Sequence, residues 1–395
     1  MISFFLPAGK VSYMEILILL LSIMYIMFLI YEHKSLSEMR KGFRHIVHVN
    51  GTRGKSTVCR LIYAGLSAGG LKVFAKTTGT SPRMLYVDGS EHEIRRRGRA
   101  NIKEQIKTIR KAREQGAEIL VLECMAVKPE LQELSQQRLV KADIGVITNV
   151  RMDHLDEMGR SLDEIAEALS LTIPENGRLF TADTAYSDYF GGIAKRKGSE
   201  VLCAEEAEDG FGEIDFIENV ALALRVCQAL EVDREAALVG MRGYLKDPGS
   251  LRIYKKKNKA GSSLTFVNAL AVNDPQSTMK IMDQVFLKSV QPGEKRVLLI
   301  NNRGDRLTRL QQFSNFAIQT RNCFDKILIC GPQKHLAERS LKSGGVKADA
   351  IRFLNNVAEL DKLQEDSAIF AVGNIAGFGR LLMEYMEEAG DVLGR

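Results

Sequence analysis

Polar and apolar positions divide the chain into three unequal stretches. From Met14 to Tyr31 nearly every residue is apolar, broken only by Glu15 and Ser22. At about 1.5 Å per helical residue the run is just long enough to cross a hydrocarbon core of about 30 Å. A core helix is the other use for such a run. A signal peptide would end in a small-residue cleavage site, but Tyr31-Glu-His-Lys34 follows here. Only Lys10 and the amino terminus precede the run, whereas Lys34, Arg40, Lys41 and Arg44 follow it, which keeps the rest of the chain on the cytoplasmic side. The expectation is a single-pass cell-membrane anchor and linker, residues 1–41, with cytoplasmic catalytic domains.

After the anchor the apolar period switches repeatedly between that of a strand and that of a helix. A β-branched run from His45 enters a glycine turn, and Val58, Leu61, Ile62 and Leu66 then recur at helical spacing. Further strands are expected at Lys72–Thr78, Glu118–Glu123 and Ile144–Thr148, with a short one within Gly177–Asp183. Helices are expected at Asn101–Gln115 and Glu157–Ser170, and another carries Ile217, Val220, Leu224 and Leu230. Strands alternating with helices predict a parallel sheet. The run Lys246-Asp-Pro-Gly-Ser-Leu-Arg-Ile253 breaks the pattern and sets a domain boundary, giving residues 42–247 and 248–395. Beyond it, strands are expected at Leu264–Asn268, Arg296–Ile300, Lys326–Cys330, Ile351–Leu354 and Ala368–Val372 with helices between them. The fold class is α/β: a membrane helix, a P-loop-type central ATPase domain and a smaller Rossmann-like domain.

Composition narrows this only a little. The chain has 395 residues, 45% of them apolar, enough for two domains. Its six cysteines are scattered without a C-x-x-C pair, which suits a reducing compartment and argues against a disulfide scaffold or a zinc site. The charge of +6 is mild. The one evident basic cluster, Arg95, Arg96, Arg97 and Arg99, has no interleaved aromatics, so no nucleic-acid partner is expected. The cluster is either a solvated face or a guanidinium clamp for carboxylates, with Arg83 in the loop before it.

The chemistry concentrates where strands end. The run Asn50-Gly-Thr-Arg-Gly-Lys-Ser-Thr57 holds Gly51, Thr52, Arg53, Gly54, Lys55 and Ser56 between a strand and a helix. Backbone N–H groups of such a loop close on phosphate oxygens, aided by the helix N-terminus. Lys55 would reach the β/γ-phosphates of ATP, and the Ser56 hydroxyl would sit on Mg²⁺. Val49 stands where the pattern G-x-x-x-x-G-K-[ST] has its first glycine, which points away from motor ATPases and small GTPases. Glu123 and His154 follow the next strands and would supply a hard oxygen ligand and an imidazole for Mg²⁺. Asn219 opens a helix, where it serves equally as a cap or as an adenine contact.

These motifs, with Glu123-Cys-Met-Ala126, Thr148-Asn-Val-Arg-Met-Asp-His-Leu-Asp156, Asp247-Pro-Gly-Ser-Leu-Arg252, Asn273-Asp-Pro-Gln-Ser-Thr278 and Asn302-Arg-Gly-Asp-Arg306, stand in the order found in Mur ligases. The resemblance covers roughly residues 42 to 395. Within the family the chain is most similar to the membrane-associated ligases of poly-γ-glutamate and capsule synthesis. The shared runs are Lys76-Thr-Thr-Gly-Thr80, Leu122-Glu-Cys-Met-Ala-Val127 and Leu162-Asp-Glu-Ile-Ala-Glu-Ala168.

The resemblance implies ATP-dependent amide synthesis, in which the terminal carboxylate of poly-γ-glutamate is activated as an acyl phosphate and joined to glutamate. It also implies other membrane subunits as partners. By similarity Lys55, Ser56 and Thr57 meet phosphate and metal, while Glu123 and His154 ligate a second metal. Asn219 then contacts adenine, Arg252 the phosphates and Asp274 the ribose, and Arg303 lies on the inter-domain face. Two departures stand out. Residues 155–176 contain no lysine where many members carry a carbamylated one, and an anchor takes the place of a UDP-binding domain, which favours a polymer acceptor. The alternatives are a folylpolyglutamate-type ligase and a membrane-anchored P-loop NTPase or ATP-binding scaffold without ligation. A motor would end its Walker-B strand in Asp and would not need His154.

Overall fold

The computed structural model describes residues 13–79, 82–94, 96, 101–153, 156–204, 210–247, 250–272, 275–305, 307–388 and 391–393. The first element is a helix, Tyr13–Lys41, whose apolar part stands clear of the packed body and is long enough to cross a membrane. The same helix runs without a break into the body. Leu36 is buried there, and Arg40 donates to the carbonyls of Arg138 and Leu139. Those carbonyls end the turn Ser135–Val140, so the arginine satisfies acceptors that a helix end leaves open.

Two sheets follow. The first has eight strands: β1 (His45–Asn50), β2 (Val73–Thr77), β3 (Arg83–Leu85), β4 (Glu91–Glu93), β5 (Ile119–Glu123), β6 (Ile144–Ile147), β7 (Arg178–Thr181) and β8 (Glu200–Cys203). Their order is β4-β3-β2-β5-β1-β6-β7-β8. Neighbours from β2 to β8 pair in parallel, while β3 pairs antiparallel with both β2 and β4. Along β1, Val47 and Val49 face the helices Lys55–Ala68, Ile217–Ala229 and Arg234–Arg242. Ile46 faces Glu104–Glu114 and the end of the first helix. This two-faced burial explains why the central strands read as continuous apolar runs.

The second sheet has β9 (Arg252–Lys257), β10 (Ser263–Asn268), β11 (Lys295–Asn301), β12 (Lys326–Cys330), β13 (Ile351–Phe353), β14 (Ser367–Val372) and β15 (Asp391–Leu393), in the order β13-β12-β11-β14-β10-β9-β15. Five strands are parallel, and β9 and β15 close one edge antiparallel.

The expected parallel sheets are therefore mixed at one edge each. The charged stretch before residue 95 is a hairpin packed on the body, and β9 begins inside the expected boundary run. The helix expected from Glu157 starts at Leu162, where the Ser161 hydroxyl accepts from the Glu164 N–H. The strands β8 and β15 and the helices Ser187–Arg196 and Arg234–Arg242 were not expected from the sequence pattern.

Candidate active site

The loop after β1 is held by side chains from the loop after β6. The Asn149 carboxamide oxygen accepts from the Arg53 N–H at 3.0 Å and the Thr52 hydroxyl at 2.7 Å, and its Nδ2 donates to the Arg53 carbonyl at 3.1 Å. The Thr148 hydroxyl donates to the same carbonyl at 2.5 Å. Arg53 pairs with Asp153 at 3.1 Å. Gly54 precedes the helix Lys55–Ala68 in a left-handed conformation, φ 79°, with no side-chain cap on the helix end, so it presents backbone donors as an anion site requires. The Lys55 ammonium donates to the Gly51 and Thr52 carbonyls at 2.7 and 3.3 Å, which leaves one of its three donors for a phosphate oxygen.

Glu123 ends β5. Alternation along that strand puts Ile119, Val121 and Glu123 on the face that meets the loop helix. The buried carboxylate accepts from the Ser56 hydroxyl at 2.9 Å and the Thr78 N–H at 2.5 Å. A carboxylate and a hydroxyl beside a phosphate loop fit Mg²⁺, which takes hard oxygens and is commonly held by one or two carboxylates plus substrate phosphates. Among the described residues there is no group of three or more His, Cys, Asp or Glu placed to hold a metal. His154 lies outside the described residues. Cys124 lines the same wall, where burial pushes its thiol up to about 11, so it is no nucleophile at neutral pH.

The loop and Glu123 open into a cavity of about 910 Å³. Its walls are the carboxyl ends of strands from both sheets, the position where α/β folds bind ligands. The first sheet contributes residues 50–57, Thr78, Gly79, Glu123 and the segment after β6. The second contributes Leu270–Val272 after β10, Arg303 and Arg309 after β11, and Asn374–Ala376 with Arg380 after β14. Asn219 lies over the loop: a Cβ on Gly54 would sit 2.7 Å from its Oδ1. Arg303, which pairs with Asp305 at 2.6 Å, faces the loop across the cavity.

Other expected site residues stand apart. Arg252 opens β9, 3.9 Å from Glu387, and is not among the residues lining the cavity. Arg83 is 3.7 Å from Glu91. Arg96 is held bidentately by Glu104 at 2.8 and 3.1 Å. Glu104 also meets the buried Lys76 ammonium at 3.4 Å, so Arg96 braces the body as well as facing outward. Arg95, Arg97, Arg99 and Asp274 lie outside the described residues.

Asn149, Asp153, Asp215, Asp247, Lys280, Arg309 and Arg380 also line the cavity, although none is singled out by the sequence pattern. Asn149 and Asp153 carried a usable signal, since both follow a predicted strand. Asp215 is brought there by tertiary packing within the first part of the chain, and Lys280, Arg309 and Arg380 by the docking of the second sheet.

Such a site, with a phosphate loop and a metal-type carboxylate on one sheet faced by basic groups from another, defines a nucleotide-dependent transferase or ligase built on two α/β sheets. Residues 49–220 match the Mur ligase middle domain, and residues 253–389 match the poly-gamma-glutamate synthase CapB C-terminal domain. The chain is 38% identical to PGA synthase CapB of Bacillus subtilis (strain 168) over 357 residues, which cover 87% of this chain and 90% of that one. It is 39% identical to the capsule biosynthesis protein CapB of Bacillus anthracis over 279 residues, 68% of this chain and 59% of that protein. The fold is shared with the bifunctional folylpolyglutamate synthase/dihydrofolate synthase of Yersinia pestis complexed with AMPPNP and Mn (TM-score 0.67, 14% identity, 90% of this chain and 93% of that chain). It is shared too with folylpolyglutamate synthase of Thermotoga maritima (TM-score 0.60, 13% identity, 93% and 97%). The chain belongs to the CapB family of Mur-type ligases and is an ATP-dependent amide ligase.

Proposed function

We propose that this chain joins glutamate to the terminal carboxylate of poly-γ-glutamate during capsule synthesis, at the cytoplasmic face of the cell membrane. The observation that most supports this reading is the single cavity in which Lys55, Ser56 and Glu123 face Arg303, Arg309 and Arg380 of the other sheet. A polyanionic acceptor and a nucleotide both need cationic surroundings there. In the reaction, the acceptor carboxylate attacks the γ-phosphorus of ATP and ADP departs, leaving an acyl phosphate. The glutamate amino group then attacks the acyl carbon, and phosphate leaves with the C–O electron pair. Two feasible steps replace one difficult condensation.

Lys55 and the loop N–H groups neutralise the β- and γ-phosphates, and Thr57 adds a hydroxyl. Ser56 and Glu123, with His154, would hold Mg²⁺. When bound, Mg²⁺ neutralises charge on the phosphate oxygens. We assign Asn219 to the adenine, Asp274 to the ribose, and Arg83 and the Arg95–Arg99 cluster to the acceptor chain. Residues 42–247 and 248–395 act as the two working domains. The helix Tyr13–Lys41 anchors them, and further membrane subunits receive the product.

The test uses the full-length chain in detergent with ATP, Mg²⁺ and glutamate, with and without short polyglutamate, following ADP and new amide. Hydroxylamine in a parallel reaction traps an acyl phosphate as hydroxamate. Glutamate-dependent ADP, hydroxamate and a lengthened chain are expected, all abolished in Lys55→Ala. ADP release indifferent to glutamate, with no hydroxamate, would instead establish an NTPase.

A further inference from the structure

We propose that Asp215 is a positioning residue that makes the cavity select adenine, by fixing which edge of the Asn219 amide faces the nucleobase. The proposal rests on reading the cavity as the ATP site. Asp215 precedes the helix Ile217–Ala229 and lines the cavity beside Asn219. Its carboxylate is almost wholly buried and accepts three hydrogen bonds: from the Tyr244 hydroxyl on Oδ2, from the Phe216 N–H on Oδ1 at 2.8 Å, and from Asn219 Nδ2 on Oδ1 at 3.3 Å.

The two ends of an asparagine amide are nearly the same shape, so only its partners can fix its direction. A carboxylate accepts and does not donate, so the group turned to Asp215 must be the NH₂. The carbonyl oxygen is thereby turned to the phosphate loop, next to Gly54. The outward edge of Asn219 then offers one acceptor, Oδ1, and one donor, the second N–H. That pair complements N6–H and N7 of adenine, whereas guanine and hypoxanthine present two acceptors, O6 and N7. With the amide reversed the preference would reverse too. Tyr244 bonds Oδ2 of the carboxylate, the oxygen opposite the one that takes the Asn219 amide, so its role is to keep Asp215 in place.

The experiment measures kcat/KM of the full-length chain, as glutamate-dependent phosphate release, with ATP, purine riboside triphosphate and ITP. The wild type should prefer them in that order, by about tenfold at each step. In Asp215→Asn the new amide can either accept or donate, which releases the orientation of Asn219, and the ATP:ITP ratio should fall about tenfold. Tyr244→Phe should lower the melting temperature and keep the ratio. Equal use of the three nucleotides by the wild type overturns the inference, and so does an unchanged ratio in a folded Asp215→Asn. If Asp215→Asn does not fold, the wild-type series decides alone. Lys55→Ala separates the two levels: if it retains activity the nucleotide reading itself has failed, and if it is inactive while the ratios stay flat only the role of Asp215 has.

Discussion

His48 lies in the middle of β1 with its ring wholly buried, Nδ1 2.9 Å from the Gln136 carboxamide oxygen. Burial lowers its pKa to about 4, against a partial upward pull from that hydrogen bond. The folded pKa is depressed below the unfolded value of about 6.5, so the folded state is favoured fully above that value and loses support as pH falls toward 4. Between pH 7.5 and 5 this group alone should remove about 2 kcal/mol of stability. Denaturant midpoints measured across that range should decline less steeply in His48→Gln than in wild type; parallel curves would mean that other groups carry the acid sensitivity. Gly54 makes a second test at this scale. Its φ of 79° strains any L side chain, and a Cβ there meets Asn219 Oδ1 at 2.7 Å. Gly54→Ala should cost about 1–2 kcal/mol and weaken ATP binding about tenfold in a fluorescent-nucleotide titration. Retained affinity would show that the loop tolerates a shift of Asn219.

Beyond its apolar packing, the phosphate-loop helix ties β4 and the segment before the second sheet through the buried Arg60. Arg60 takes both carboxylate oxygens of Glu91 on β4, at 3.2 and 2.5 Å, and donates to the Leu245 carbonyl at 3.0 Å, just before the chain crosses to the second sheet. Its side chain is inaccessible to solvent. Arg60→Met leaves the Glu91 carboxylate with only the longer contact to Arg83 at 3.7 Å, a loss of up to about 3–5 kcal/mol, whereas Arg60→Met with Glu91→Leu should recover much of it in thermal melts. Equal destabilisation by the single and the double change would argue that the Leu245 contact dominates. Gly240 is a second such point, since a Cβ there would lie 2.3 Å from the Ala64 carbonyl of the same helix. This arginine also shows where the sequence stops being legible. β1, β5, β6, β11 and β14 can be read because burial on both faces makes each a continuous apolar run. Glu91-His-Glu93 reads as solvated charge, and nothing local reveals that its partner is an arginine inside a helix. The strand β9 ends in Lys255-Lys-Lys257 and is only partly buried, so it lacks the apolar signature although two antiparallel neighbours define it. Lys55, Ser56 and Glu123 could be placed because each follows a readable strand, whereas Asp215 and Arg380 come to the cavity only through tertiary packing.

At the scale of the whole molecule the two sheets meet beside the cavity through the packing of Phe216 on the second core and through polar contacts. The Lys280 ammonium pairs with Glu218 and lies 5.6 Å from the centre of the Phe216 ring, and Arg151 Nη1 donates to the Ser277 hydroxyl at 2.8 Å. Burial pushes the Glu218 carboxyl up, but the Lys280 hydrogen bond, a backbone N–H and the charges of Lys280 and Arg151 together hold it below the usual carboxylate range. Both partners of the pair remain partly exposed, so it contributes only about 0–1 kcal/mol to stability. Its consequence is geometric instead. An acyl phosphate survives only while the second sheet keeps water from it and presents the amine, and these contacts hold that sheet in place. Lys280→Gln combined with Ser277→Ala should therefore move the melting temperature by no more than about 2–4 °C while raising the ratio of ADP released to amide formed about tenfold, a scale set by small misplacements of reacting groups. High salt should raise the same ratio in the wild type, since a half-exposed ion pair is screened. If the double variant still makes one amide per ADP, the sheets are held together by their apolar contacts alone, and coupling of ATP use to ligation must reside in the substrates' own occupancy of the cavity.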